Sequence, residues 1–123
     1  MGDYTTARAA LRKAFDGTQA FYGRYGICSV YDKVARLAFV TGDKERAARL
    51  LGYADVAYAR DESSRQRREA QFVDDMRVQL QVALGPAQYA RESETGHAYT
   101  EAQALAEMNA VLNAESALLE ENR

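Results

Sequence analysis

Apolar residues recur every three or four positions along almost the whole chain, which is the spacing of one buried helix face. No alternating Val/Ile/Thr-rich segment occurs, and proline appears once. The sequence therefore predicts an all-α chain of five or six helices. The predicted helices are Asp3 to Phe15, Thr18 to Val40, Asp43 to Arg60, Ser64 to Leu84, a short helix after Gly85, and a last helix after Thr100.

Glycines and capping residues refine these boundaries. Gly23 and Gly26 lie inside the second stretch, and each costs about 1 kcal/mol relative to alanine in a helix interior. We therefore expect a kink or a late helix start there. Gly96 is expected to end the fifth helix. Capping boxes are predicted at Ser63–Gln66 and Thr100–Gln103, where a hydroxyl and an amide can each accept from the other residue's backbone N–H.

Two segments that lie 40 residues apart, 2–14 and 42–54, share one pattern of small and large apolar residues. In both, a Gly-Asp turn opens a helix with alanine at the first close-packing position. This pattern is typical of the second helix of a tetratricopeptide-like repeat, which buries its apolar face by stacking on its neighbours. We therefore predict antiparallel helical hairpins with tetratricopeptide-like packing. The shared positions are Ala7, Leu11 and Ala14, and Ala47, Leu51 and Ala54.

Composition narrows the function classes. The 123 residues suit one domain, 1–123, and a net charge of −2 argues against direct nucleic-acid binding driven by bulk charge. No apolar run approaches the roughly 20 residues that span a bilayer, and the N-terminus lacks the apolar stretch of a signal peptide. A single cysteine fits a reducing compartment. We expect a cytoplasmic protein with no membrane contact.

The stretch Tyr31–Val111 resembles the C-terminal part of the helical-repeat region in large bacterial transcriptional regulators of the signal-transduction ATPase type. The string RAARLLGYAD at residues 46–55 is similar to one that is frequent in that family. The long helix ending at Leu84, the short helix with Tyr89, and the last helix that begins at residues 99–102 follow the order of the family's usual ending.

The resemblance implies a function. Such regulators join a winged-helix or LuxR-like DNA-binding domain to an ATPase domain and then to tetratricopeptide-like repeats. This chain has no Gly-x-x-x-x-Gly-Lys-[Ser/Thr] motif, so the resemblance makes it a C-terminal fragment of a larger regulator. It would then be a regulatory interaction module that senses a protein or small-molecule effector. The alternative is a free-standing helical adaptor that dimerises through its open repeat end.

The residue types that carry chemistry do not favour an enzyme or a cofactor site. His97 is the only histidine, and no second ligand stands at metal-binding spacing, so we interpret it as a loop residue. Cys28 has no basic partner in sequence and is interpreted as a buried small residue. The arginines of residues 60–68 could contact a nucleic acid, but acidic residues at positions 61, 62, 69, 74 and 75 lie among and after them, which favours a solvated helix face. Asp74 and Asp75 point about 100° apart on a helix, too far to act as a pair.

Two surfaces are predicted from the repeat register. The inner side of the helix that ends at Val40 is expected to contact a peptide or an effector. The alternative is that Asp32 and Arg36 form an i,i+4 ion pair while Phe39 and Val40 pack on the next helix. The candidate partner-binding residues are Ser29, Asp32, Arg36, Phe39 and Val40.

The N-terminal end of the repeat offers apolar residues without a preceding helix to cover them. We therefore predict that the isolated chain forms a homodimer there. The alternative for its aromatic residues is packing in the core or between repeats, with their hydroxyls reaching solvent. The candidate self-association residues are Leu11, Phe15, Phe21 and Tyr22.

Overall fold

The computed structural model describes residues 6, 9–13, 27–61 and 64–121, and only the backbone of residues 27 and 114–121. No strand occurs in these residues, and residues 6 and 9–13 are helical. The prediction of an all-α chain is confirmed for this part of the molecule. Five further helices follow in chain order: α1 Ile27–Val40, α2 Lys44–Arg60, α3 Arg67–Leu84, α4 Pro86–His97 and α5 Glu101–Glu121.

A tight turn joins α1 to α2. Gly42 adopts φ +98°, a left-handed conformation that favours glycine. Asp43 then caps α2, because its side chain accepts a hydrogen bond of 3.3 Å from the backbone N–H of Arg46. The two helices run antiparallel, since the rings of Tyr31 and Tyr53 meet edge to face at 5.1 Å, far from the turn.

One predicted capping box is confirmed and the other is wrong. The backbone N–H of Thr100 donates to Gln103 at 2.8 Å, and that of Gln103 donates to the Thr100 hydroxyl at 3.1 Å. At the other site α3 begins only at Arg67, so Gln66 precedes the helix and its side chain caps nothing. Gln66 has extended backbone, φ −66° and ψ 155°, next to Arg65, whose side chain is held by two other helices. Ser63 lies outside the described residues.

Gly96 does not end α4. The helix continues to His97, and Gly96 is buried inside it against α2. A Cβ atom on Gly96 would overlap the backbone carbonyl of Arg49. On the facing helix, a Cβ atom on Gly52 would lie 2.5 Å from the carbonyl oxygen of Ser93. The two glycines therefore let the backbones of the antiparallel helices α2 and α4 touch.

Helix α2 lies at the centre of the fold and contacts each of the other four helices, most extensively α1 and α4. Helix α5 packs back on α1 and α2. The contacts thus establish one antiparallel hairpin with α3, α4 and α5 around its second helix, and tetratricopeptide-like stacking stays a prediction. The buried residues of α2 are Ala47, Ala48, Leu50, Leu51, Gly52, Tyr53, Ala54, Ala57 and Tyr58.

Candidate interaction surface

Arg65 precedes α3 and binds carboxylates from two other helices. Its guanidinium donates two hydrogen bonds to Asp32 of α1, at 2.7 and 2.8 Å, and pairs with Asp55 of α2 at 2.8 Å. It also lies over the ring of Tyr58, 4.5 Å from the centroid. Arg77 of α3 donates two further bonds of 2.8 Å to Asp55. This group, the Arg65 network, ties α1, α2 and α3 together.

Burial acts differently on the two carboxylates of the Arg65 network. Asp32 is only 4% exposed, and this burial raises its pKa although Arg65 opposes the effect. Burial would also raise the pKa of Asp55, but two arginines, Arg77 and Arg65, outweigh it and the pKa is lowered. Removing one partner from such a network would leave a buried charge without compensation.

A second set of ion pairs joins α2 to α4 and α5. Arg49 binds Glu92 at 2.5 Å and Glu107 at 3.4 Å. Arg46 lies 3.2 Å from the same Glu107 and 2.7 Å from Asp43. These side chains are partly buried, so they fix the helices to one another more firmly than exposed ion pairs would.

The cysteine, the histidine and the adjacent aspartates that the sequence singles out are the remaining candidates for chemistry. Cys28 is buried, as predicted, and its Sγ lies 3.6 Å from Asp61. Burial and then the charge of Asp61 raise its pKa to about 11, so the thiol is protonated at neutral pH. His97 is the exposed last residue of α4, so its interpretation as a loop residue is wrong. Asp74 and Asp75 are both exposed, and Asp74 lies 3.7 Å from Arg77. Among the described residues, no group of acidic, His or Cys side chains is placed to hold a metal ion.

The sequence interpretation missed the role of Arg65. It grouped this arginine with its neighbours as a solvated face, and Arg67 and Arg68 at the start of α3 are indeed exposed. A signal for the Arg65 network was present, because Asp32 stands next to Tyr31 in the apolar stripe of α1. An acid at a buried helix position requires a cation from elsewhere in the fold.

The exposed side of α1 and the adjoining side of α3 form a surface that we call the α1–α3 face. Arg36 lies over the ring of Phe72, its guanidinium carbon 3.7 Å from the centroid. Phe72 remains 45% exposed and Val40 43% exposed. Lys33 shares the exposed stripe of α1 with Arg36 and Val40, and Arg68 shares that of α3 with Phe72.

Two of the predicted partner-binding residues, Arg36 and Val40, contribute to the α1–α3 face. The alternative ion pair between Asp32 and Arg36 does not form, because Asp32 is bonded to Arg65 and Arg36 is stacked on an aromatic ring. The buried Asp32 is therefore directed inward, and the face is formed by another side of the helix, which carries Lys33, Arg36 and Val40.

The other predicted partner-binding residues have contacts inside the chain. Ser29 donates a hydrogen bond of 3.1 Å to Glu69 of α3. Phe39 is partly buried against the core, with the ammonium of Lys44 5.6 Å from its ring centroid. Helix α3 thus occupies part of the side of α1 that the repeat register assigned to a ligand.

A second exposed apolar site lies on the far side of α3. Val78 is 62% exposed and Val82 is 81% exposed, and they are one helical turn apart. The buried side of the same helix is formed by Val73, Met76 and Leu80. Helix α3 therefore presents apolar side chains to solvent as well as to the core.

The predicted self-association surface is described only in part. Leu11 is partly buried and packs against the core. Its neighbour Arg12 donates to Asn109 at 2.7 Å and Asn113 at 3.3 Å, both on α5. Phe15, Phe21 and Tyr22 lie outside the described residues, and a contact between copies at this end stays a prediction.

Comparison of the chain with models of protein families, with curated proteins and with solved structures finds no match. Within the described part of the molecule, no helix has both the length and the apolar character needed to cross a membrane.

Proposed function

We propose that the protein is a non-catalytic interaction module that binds an acidic segment of a partner protein on the α1–α3 face. The observation that carries the proposal is the stacking of Arg36 on the half-exposed ring of Phe72, next to the exposed Val40. An arginine held flat on an aromatic ring is already ordered, so it loses less conformational freedom when it binds a carboxylate.

The charge of the face favours an acidic partner. Three of the exposed charged residues around it, Lys33, Arg36 and Arg68, are positive, and the fourth is Asp75, one turn after Phe72, in a chain whose net charge is −2. None of the three has a carboxylate within 4.0 Å among the described residues. By contrast, Arg65 and Arg77 of the Arg65 network, and Arg46 and Arg49 of the second set of ion pairs, bind carboxylates within the fold.

The apolar residues of the face would supply affinity. An exposed aromatic ring with an aliphatic neighbour, rimmed by cations, is the kind of composition found at protein–protein contacts, where aromatic and arginine side chains contribute most. The expected ligand is a short segment with an apolar anchor for Phe72 and Val40 and flanking Asp or Glu residues for Arg36 and Lys33.

The resemblance of Tyr31–Val111 supplies a setting for this module. It would be the regulatory region of a bacterial multidomain transcriptional regulator, in which an effector on the α1–α3 face restrains or releases the ATPase part. The alternative setting is a free-standing helical adaptor. The full reading frame of the gene separates them, since ATPase motifs in the same frame favour the regulator.

Site-specific photo-cross-linking in the source cells tests the binding function. A photoreactive amino acid at Val40 should capture a protein that the same amino acid at the exposed Glu94 of α4 does not capture. The peptide cross-linked to position 40 should be acidic. Absence of any adduct specific to position 40 would contradict the proposal.

A charge reversal supplies the matched comparison. Arg36→Glu should lower the yield of the adduct by about tenfold, because a cation that meets an acidic segment becomes a repelling anion. Arg91→Glu makes the same change at an exposed site on α4 and should leave the yield unchanged. Equal yields from the two variants would rule out an acidic ligand on this face.

A further inference from the structure

The far side of α3 has a composition unlike the rest of the surface. Charged residues make up 28% of the chain, yet residues 78–90 contain none. This run covers the exposed Val78 and Val82, the Gly85 corner, and the first turns of α4. We call the exposed pair Val78 and Val82 the α3 outer face; the exposed Asp75 lies one turn before Val78, at its edge.

Val78 and Val82 lie about 120° and 80° around the helix from Phe72, so these two valines point away from the ring that Arg36 covers. An uncharged apolar surface is not complementary to the acidic segment proposed above. It is complementary to a second surface of the same kind, because neither copy then buries an unpaired charge. The same patch on another copy of this chain meets that condition through a two-fold axis.

A two-fold axis would also bring a charged residue beside one end of the α3 outer face close to a complementary group beside the other end. In an antiparallel pair centred between Val78 and Val82, each Val78 lies opposite Val82 of the other copy. Asp75 is three residues before Val78, and Gly85 is three residues after Val82, so Asp75 lies opposite Gly85 of the other copy. Both offsets amount to about 4.5 Å along the helix.

The group that Asp75 would meet is the start of α4. Gly85 is the N-cap of that helix and has no side chain to accept a hydrogen bond, and the first turn holds no acidic residue. The first backbone N–H groups of a helix carry a partial positive charge and bind carboxylates favourably, and in α4 they belong to Ala87 and Gln88 because Pro86 has no N–H. Asp75 is exposed and can serve this uncapped helix from the other copy.

We propose that two copies of the chain pair through the α3 outer face, with their α3 helices antiparallel and Asp75 of each copy at the start of α4 of the other. This pairing does not depend on the α1–α3 face, which stays open to its own ligand in the dimer. It is also distinct from the N-terminal contact predicted from the sequence, which involves Leu11.

Sedimentation velocity on the full chain measures the association. The wild type should be a dimer at tens of micromolar, and Val82→Glu should raise the dissociation constant by about tenfold or more, since a buried charge would then lack a partner. Val40→Glu, on the α1–α3 face, should leave it unchanged. Val82 is so exposed that the Glu variant should keep its helical circular dichroism, and Val82→Ser provides a milder change. A monomeric wild type, or a dimer that neither variant weakens, would overturn the proposal.

Two further measurements test the geometry. Asp75→Lys should weaken the dimer several-fold, whereas Glu94→Lys, the same change at an exposed acid of α4, should not; equal effects would overturn the proposed contact of Asp75. A short thiol cross-linker should join Val78→Cys to Val82→Cys in a mixture, faster than either variant alone. Cys28 is buried and should not interfere. Preferred 78–78 and 82–82 links would indicate a parallel pair and overturn the proposal.

These results also separate the two proposals. A monomeric wild type that still gives a Val40 adduct would remove the dimer and retain the binding function. A Val82-dependent dimer with no adduct at Val40 would retain the dimer and remove the acidic ligand.

Discussion

Asp32 and Arg65 show how a single buried acid organises its surroundings. Asp32 faces the interior of the fold, because it lies on the side of α1 that also carries the buried Tyr31 and Val34. Its burial is tolerable only because Arg65 donates two hydrogen bonds to it, and Arg65 is shared with Asp55. The position of Arg65 then sets where α3 can begin.

Replacing Arg65 should therefore be costly. Arg65→Met leaves Asp32 buried without a cation, and we expect a loss of about 3–5 kcal/mol in the free energy of unfolding. Arg67→Met, two residues later and exposed, should change it by less than about 0.5 kcal/mol. Urea denaturation measures both. A small effect of Arg65→Met would mean that the Arg65 network does not hold α3.

The double variant Asp32→Asn with Arg65→Met shows whether the loss of stability comes from the unpaired Asp32 carboxylate or from the lost packing of Arg65. If the loss arises from a buried carboxylate without a partner, removing that charge should restore part of the stability. A double variant as unstable as Arg65→Met alone would assign the loss to packing of the arginine against Tyr58.

At the scale of the helix, the sequence predicts most of the boundaries and caps that depend on neighbouring residues. The 3–4 spacing and the turn at Gly42 place α2 within one residue of its observed start, and the capping box at Thr100 is present. These features depend on residues that are close in sequence. The start of α3 was misplaced because it depends on contacts of Arg65 with residues 10 and 33 positions away.

Gly96 illustrates the same limit. A glycine near the end of a helix fits a C-terminal cap, and the sequence offers no sign that Gly52 faces it across a helix crossing. The α1–α3 face shows the same limit of prediction from local sequence. Arg36 and Val40 could be assigned to an exposed side of α1, but Phe72 enters the face through a contact that local spacing does not show.

Gly96→Ala tests the crossing of α2 and α4. Alanine is favoured over glycine within a helix by up to about 1 kcal/mol. Here, however, its Cβ would overlap the carbonyl of Arg49, and separating two packed helices should cost about 1–3 kcal/mol or more. We expect a clearly lower melting temperature. Thr95→Ala, at an exposed position of the same helix, should change it little, and stabilisation by Gly96→Ala would place the two helices farther apart.

For the whole molecule, α3 connects the stable core to both proposed contacts. Its inner side packs on α2 and α4, its side edge completes the α1–α3 face, and its outer face is free for a second copy. Because these sides differ, the two proposed contacts would not exclude each other. The Arg65 network holds α3 on α1 and α2, so acid that protonates Asp55 should weaken the attachment of the helix that carries both contacts.

The pH dependence of folding should show the two carboxylates acting with opposite sign. The pKa of Asp55 is lowered in the folded chain, so its contribution is present above the ordinary value near 4 and is lost as the pH falls through the folded-state pKa. The pKa of Asp32 is raised, so its contribution is present at low pH and is lost as the pH rises through the folded-state pKa.

The variants Asp55→Asn and Asp32→Asn measure the contribution of each carboxylate to the free energy of unfolding. The wild type should be more stable than Asp55→Asn at neutral pH, where Arg65 and Arg77 gain an ionised partner, and the difference should shrink as the pH falls below about 4. The difference between the wild type and Asp32→Asn should instead move in favour of the wild type as the pH falls, because a protonated Asp32 no longer carries a buried charge. Urea denaturation from pH 7 to about pH 3, at one salt concentration, gives both curves. If both differences shrank together on acidification, the ionised form of Asp32 would stabilise the fold as that of Asp55 does. The proposed opposite contributions of the two carboxylates would then be wrong.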